Sequence, residues 1–121
     1  MDTLRNFQKS ILRILANLRR RSTRYKRDIR FFIQRRRKGW DDSDTWNLNY
    51  VIVRFVLPRL KRFREISAAH PYQLTPEEWD AILEKMIIAF QALDEDDGDI
   101  DWEMVEEGLD LFRQYFMDLW W

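Results

Sequence analysis

The chain has 121 residues, 45% of them apolar and 15% aromatic, enough for one domain or one domain with an appendage. It has no cysteine and one histidine, His70, which excludes disulfides, thiol catalysis, zinc–cysteine sites and any site needing two imidazoles. The net charge of zero hides a division: residues 1–39 hold fourteen Lys/Arg and two acidic residues, a net of +12, and residues 40–121 carry a net of −12.

Residues 3–38 read as a helix. Leu4, Ile11, Leu18, Tyr25 and Phe32 recur every seven residues, joined by Phe7, Ile14, Ile29 and Ile33. Arg21 and Asp28 interrupt the second heptad position, so this is an amphipathic stripe more than a strict coiled-coil seam. Asp2 or Thr3 can cap its start, and Gly39 after Arg35-Arg36-Arg37-Lys38 suits its end. One continuous helix would run about 54 Å; a break near Ser22-Thr23 would give two shorter ones.

After a polar connection over 40–44, Asp44 or Ser43 is positioned to cap a second helix reaching about Ala69. Trp46, Tyr50, Val53, Leu57 and Leu60 give it helical spacing, and Pro58 predicts a kink or a restart. Arg54, Arg59, Lys61, Arg62 and Arg64 form a basic island ahead of the acidic remainder. Ala69-His70-Pro71-Tyr72 is a connection, because the residue before proline avoids the helical region. Thr75-Pro76-Glu77-Glu78 is a capping box with proline at the first helical position. The helix it opens carries Trp79, Ile82, Leu83, Met86, Ile87, Phe90 and Leu93 on one stripe. Asp99 or Asp101 caps a last helix with Val105, Leu109, Phe112, Phe116 and Leu119 inward. The expected fold is all-α: a three-helix core bundle within the acidic region 40–121, preceded by a long basic amphipathic N-terminal helix in 1–39.

The chemistries absent are as informative. The acidic loop 94–103 approaches a calcium loop, but setting Gly98 at loop position 6 puts Leu93 at position 1 and Met104 at position 12, where carboxylates are required. Asp41, Asp42 and Asp44 read more simply as helix caps than as ligands of a hard cation. His70 sits in a turn with no nucleophile motif near it, and there is no phosphate loop or dinucleotide fingerprint. No catalytic residue, cofactor or metal site is expected. No apolar run reaches the length of a membrane span and no signal-peptide core is present, so a soluble protein of a reducing compartment is expected.

The basic helix can cover the phosphates of nucleic acid, lie on an anionic membrane, or dock on an acidic body, its own or a neighbour's. Its cations Arg19, Arg20, Arg24, Arg27, Arg35, Arg36 and Arg37 are the nucleic-acid candidates, and membrane contact is the least favoured reading. Trp40, Asp42, Asp44, Trp46, Asn47, Asn49 and Tyr50 cluster within eleven residues, with Arg54 one turn beyond. Such a mixture can stack a planar base, bond its edge and hold a phosphate, or can be core anchors and caps. Trp120-Trp121 suggest a fold-back or a subunit interface.

The run Gly39-Trp40-Asp41-Asp42-Ser43-Asp44-Thr45-Trp46-Asn47-Leu48, with Leu57-Pro58, His70-Pro71, Glu77-Glu78-Trp79-Asp80-Ala81-Ile82-Leu83 and the ending Gly108-Leu109 to Leu119-Trp120, resembles a family of small uncharacterised tailed-phage proteins over about residues 39–121. The resemblance implies a phage accessory protein in the host-cell cytoplasm or the virion. On that basis the leading expectation is a non-enzymatic anti-defence protein. It would be a homo-oligomer that sequesters a nucleotide-like anion or blocks a host defence protein. Trp46 and Tyr50 would stack, Asp42 and Asn47 would meet base edges, and Arg54 and Arg64 would hold phosphate. The alternatives are a DNA-packaging or virion protein whose basic helix contacts nucleic acid, and a structural oligomerisation module.

Overall fold

A computed structural model describes residues 1–95 and 98–121. Every regular element among them is helical, and they form two compact units, Met1–Trp46 and Asn47–Trp121. The division falls beyond Gly39, because a short 3₁₀ turn, Asp42–Thr45, belongs with the first helix.

In the first unit α1 runs without a break from Asp2 to Lys38. It contains no internal glycine or proline, and its last turn holds Arg35, Arg36, Arg37 and Lys38, where cations oppose the negative end of the helix. Gly39 closes it in the left-handed conformation, φ 82°, and its N–H donates to the Arg35 carbonyl at 2.9 Å. The expected cap from Asp2 or Thr3 does not form: the N-cap is Met1, with no side-chain hydrogen bond. No residue of α1 is buried, so the whole apolar stripe stays exposed.

The second unit is built on three helices, α2 (Leu48–Ile66), α3 (Pro76–Glu95) and α4 (Trp102–Gln114), followed by a single 3₁₀ turn, Phe116–Asp118. Asp44 and Ser43 do not cap α2; they lie inside the 3₁₀ turn, and Asn47 precedes α2 without a side-chain cap bond. The helix continues through Pro58 and stops at Ile66, short of Ala69, where Ser67 turns extended ahead of the His70-Pro71 connection. The Thr75 capping box is present in full: Glu78 N–H donates to Thr75 Oγ1 at 3.1 Å, and Thr75 N–H donates to Glu78 Oε1 at 3.2 Å. Asp101 caps α4 by accepting from Met104 N–H at 3.2 Å. The would-be calcium loop includes Asp96 and Asp97, which lie outside the described residues; no group of three metal-ligating side chains occurs among those described.

The core joins Val53, Leu57 and Leu60 of α2 to Trp79, Leu83, Met86, Ile87 and Phe90 of α3. Burying a side chain of this kind stabilises the fold by roughly 1.5–3 kcal/mol. Both α2 and α4 pack on α3, and among the described residues they do not pack on each other. At the α3–α4 crossing Gly108 lies against Ala89, and a Cβ added at Gly108 would sit 2.6 Å from the Lys85 carbonyl oxygen. This contact line runs through Val105, Gly108, Phe112 and Tyr115, which corrects the expected inward face of α4: Leu109 and Phe116 are exposed. Val105, Phe112 and Leu119 are inward as expected, with Phe112 edge-on against Phe90 at a ring-centroid distance of 5.0 Å. Trp120 and Trp121 are 70% and 68% exposed, so neither folds back onto the core.

Gly108→Ala forces α4 off α3 or strains it in place. A loss of about 1–3 kcal/mol is expected, the usual cost of overpacking. Chemical denaturation monitored by circular dichroism checks it.

Candidate nucleic-acid interface

The end of α1 is held to the following turn by a closed set of polar contacts. Asp41 is the buried charged residue among the described residues, only 4% exposed. Its Oδ2 accepts from Arg35 Nη2 at 2.7 Å and Nε at 3.0 Å, and its Oδ1 accepts from the Ser43 N–H at 2.8 Å and from the Ser43 hydroxyl. The Asp44 carboxylate accepts from the Asp41 N–H at 3.0 Å, completing a capping box around the turn. Gln34 donates to Asp42 Oδ2 at 2.9 Å and accepts from the Asp42 N–H at 2.8 Å. The Ser43 hydroxyl, then Arg35, hold Asp41 below the usual carboxylate range, against burial, which pulls the other way. Its bond to Asp41 in turn raises the Arg35 guanidinium.

This clamp delivers Trp46 to the side of α1. The Trp46 ring meets Phe31 edge-on at 5.6 Å, and the Arg27 guanidinium lies 5.6 Å from its centroid. Arg27 and Arg30 also lie over Phe31, at 5.9 and 5.7 Å. Trp46 remains 63% exposed, so it is no core anchor: one face is backed by protein and the rest is open. A second exposed indole, Trp40, carries Lys38 at 4.7 Å.

Helical spacing places Lys9, Arg13, Arg20, Arg24, Arg27 and Phe31 on one face of α1, opposite the Leu4–Phe7–Ile11–Leu18 stripe. All five of these cations are exposed, and among the described residues Lys9, Arg13, Arg20 and Arg24 have no carboxylate partner. They form a cationic track of roughly 27 Å at 1.5 Å per residue, leading to the Phe31–Trp46 aromatic pair. Arg19 and Arg37 border the stripe, and Arg36 lies over Phe32 at 5.8 Å. Arg35 is committed to the clamp. The sequence reading missed Lys9, Arg13 and Phe31, although their spacing of four and seven residues was there to find.

The residues expected to hold a nucleotide are placed differently. Asp42 and Trp46 belong to the first unit; Asn47, Tyr50, Arg54 and Arg64 belong to the second. Asn47 is exposed at the start of α2, and Tyr50 is half-buried one turn before Arg54. Arg54 Nε lies 3.6 Å from Asp94. Arg64, a further ten residues along the same helix, makes a two-point contact with Asp80 at 2.8 and 2.9 Å and lies 3.7 Å from Glu84. That hydrogen bond lowers Asp80 and raises Arg64. His70 bonds within its turn, with Nδ1 3.0 Å from the Pro71 carbonyl oxygen. No described helix is long and apolar enough to cross a membrane. No family model, curated protein or solved structure matches the chain.

Asp41→Asn removes the charge that Arg35 and the turn both use. The NMR signals of Ser43 and Trp46 are expected to broaden or shift toward those of an open turn, while those of Leu83 and Met86 stay in place. Because the folded-state pKa of Asp41 is lowered, its contribution is complete above the ordinary carboxylate pKa and is lost as pH falls through the lowered value. The wild-type chain is therefore expected to show the same local opening only on acidification below about pH 4.

Proposed function

We propose that this protein is a non-enzymatic nucleic-acid-binding accessory protein whose first helix engages a single strand. The observation that supports this best is the cationic face of α1 running into the exposed Trp46, backed by Phe31 and Arg27. A backbone-tracking basic surface beside an aromatic platform is how strands are held without sequence preference. Phosphates would lie along Lys9, Arg13, Arg20 and Arg24, and a base would stack on the open part of Trp46. A duplex would use the same cations but has no unstacked base for the indole.

The nucleotide-capture reading has less support, because Arg54 and Arg64 already face carboxylates. A tailed-phage source belongs to the proposal through the resemblance over residues 39–121. In the second unit most of the basic island of α2 is already engaged, Arg54, Arg62 and Arg64 with carboxylates and Arg59 over the Phe55 ring, and the acidic remainder would repel a polyanion.

Fluorescence anisotropy with a labelled oligothymidylate tests the reading. Binding is expected to weaken steeply with salt. In the Arg13→Ala/Arg20→Ala/Arg24→Ala variant the slope of log affinity against log salt should shrink by about 2, at about 0.7 per phosphate contact on a single strand. Trp46→Ala should weaken binding by about 5- to 150-fold, the equivalent of one stacked base. Equal binding by the triple variant, or no binding at low salt, refutes the proposal. So does partition of the protein onto phosphatidylserine vesicles without oligonucleotide binding.

A further inference from the structure

The second unit lacks one helix of a closed bundle. Because α2 and α4 both pack on α3 and not on each other, the space between them stays open. It is a groove of about 280 Å³ lined by Phe55, Val56, Leu60 and Phe63 of α2 and by Phe112 and Leu119 from the other side. Its margins are apolar too. Phe55 and Phe116 are 58% and 57% exposed, and Ile52 continues the surface along α2. Arg59 lies over the Phe55 ring at 3.8 Å and so caps one edge without filling the groove.

Within the first unit, α1 packs its apolar stripe against nothing: Leu4, Phe7, Ile11, Ile14, Leu18 and Ile29 are all exposed. We propose that the groove is the seat of α1 from a second copy of this chain, and that the functional form is a reciprocal dimer.

Charge selects this partner. Two α1 helices side by side along their whole length would press two +12 segments together, whereas α1 on the second unit brings +12 to −9. Arg19, Arg21 and Lys26 border the stripe, and Glu106 and Asp110 run along the exposed side of α4 beyond Leu109. Length argues for two copies over one. The stripe from Leu4 to Ile33 extends roughly 44 Å, and α2, the longer wall of the groove, roughly 28 Å. One groove leaves part of one stripe in water. In a dimer the surplus ends can meet each other, and those ends, residues 1–18, hold only Arg5, Lys9 and Arg13 as cations beside Asp2. An amphipathic helix laid in an apolar groove is a common recognition mode, and complementary patches exchanged between two copies close on themselves. The seated stripe points away from Lys9, Arg13, Arg20 and Arg24, so the assembly does not depend on nucleic-acid binding.

The absence of cysteine makes the test direct. Val56→Cys chains carrying one tag are mixed with differently tagged Leu18→Cys or Ile29→Cys chains and oxidised. Mixed-tag disulfide dimers are expected, and Arg20→Cys, on the opposite face, should give none. Sedimentation equilibrium should show a dimer, and Ile14→Glu or Phe55→Glu should each weaken it by about tenfold or more. Both positions are exposed, so an unchanged circular dichroism spectrum separates dissociation from unfolding. A wild-type monomer at all concentrations overturns the proposal. So does a bridge formed only within single chains of the Val56→Cys/Ile29→Cys variant. Ile14→Glu keeps every cation of the track, so loss of the dimer with oligonucleotide affinity retained separates this inference from the preceding one.

Discussion

The close approach of α4 to α3 governs the second unit. Gly108 has no side chain, so Ala89 and the Lys85 carbonyl can come up against the α4 backbone. Once that contact is made, the rotation of α4 is settled. Val105 is buried, Phe112 reaches Phe90, Tyr115 reaches Trp79, and Leu109 is turned out. With α4 seated there and α2 seated against Val53, Leu57 and Leu60, α3 is covered on two sides and its neighbours are left apart. The open apolar groove follows from where a single missing methyl lets one helix lie.

The first unit obeys a different rule, in which polar groups organise the chain. A 37-residue helix with no buried side chain draws nothing from a core. Its defined end comes from Gly39 and from the Arg35–Asp41–Asp44 set, where a nearly inaccessible carboxylate is fully used by an arginine, a hydroxyl and a backbone amide. Burying a charge so completely is costly unless every bonding direction is filled, and here the filling partners are all local in sequence. The result is that an otherwise exposed tryptophan is held in one place.

Much of this was legible beforehand. The capping box at Thr75 and Glu78 formed as read, because its two hydrogen bonds depend on a four-residue window alone. The stop of α1 at Gly39 was legible for the same reason, whereas its continuity past Ser22-Thr23 was left open by the sequence. The Asp41–Asp44 segment was read as caps, which it is, but for a 3₁₀ turn and not for α2. Choosing between those needed Arg35 and Gln34, which reach the turn from the preceding helix. The inward face of α4 was partly legible: Val105, Phe112 and Leu119 face the core as their spacing implies, but hydrophobicity also pointed to Leu109 and Phe116, while packing selected a glycine that no hydrophobicity pattern marks. The aromatic platform was half legible: Trp46 was singled out, but its companions Phe31 and Arg27 lie far enough back in the chain that only the clamp unites them.

The sequence isoelectric point of about 6.6 describes neither unit. Near neutrality the protein as a whole is uncharged, yet each portion is strongly charged and opposite in sign. Molecules of this type attract one another most in pure water, where little shields the opposite charges, and dissolve more readily as modest salt is added. Precipitation on dialysis into dilute buffer would therefore be an electrostatic event, reversible by salt, and no sign that the helices had come undone.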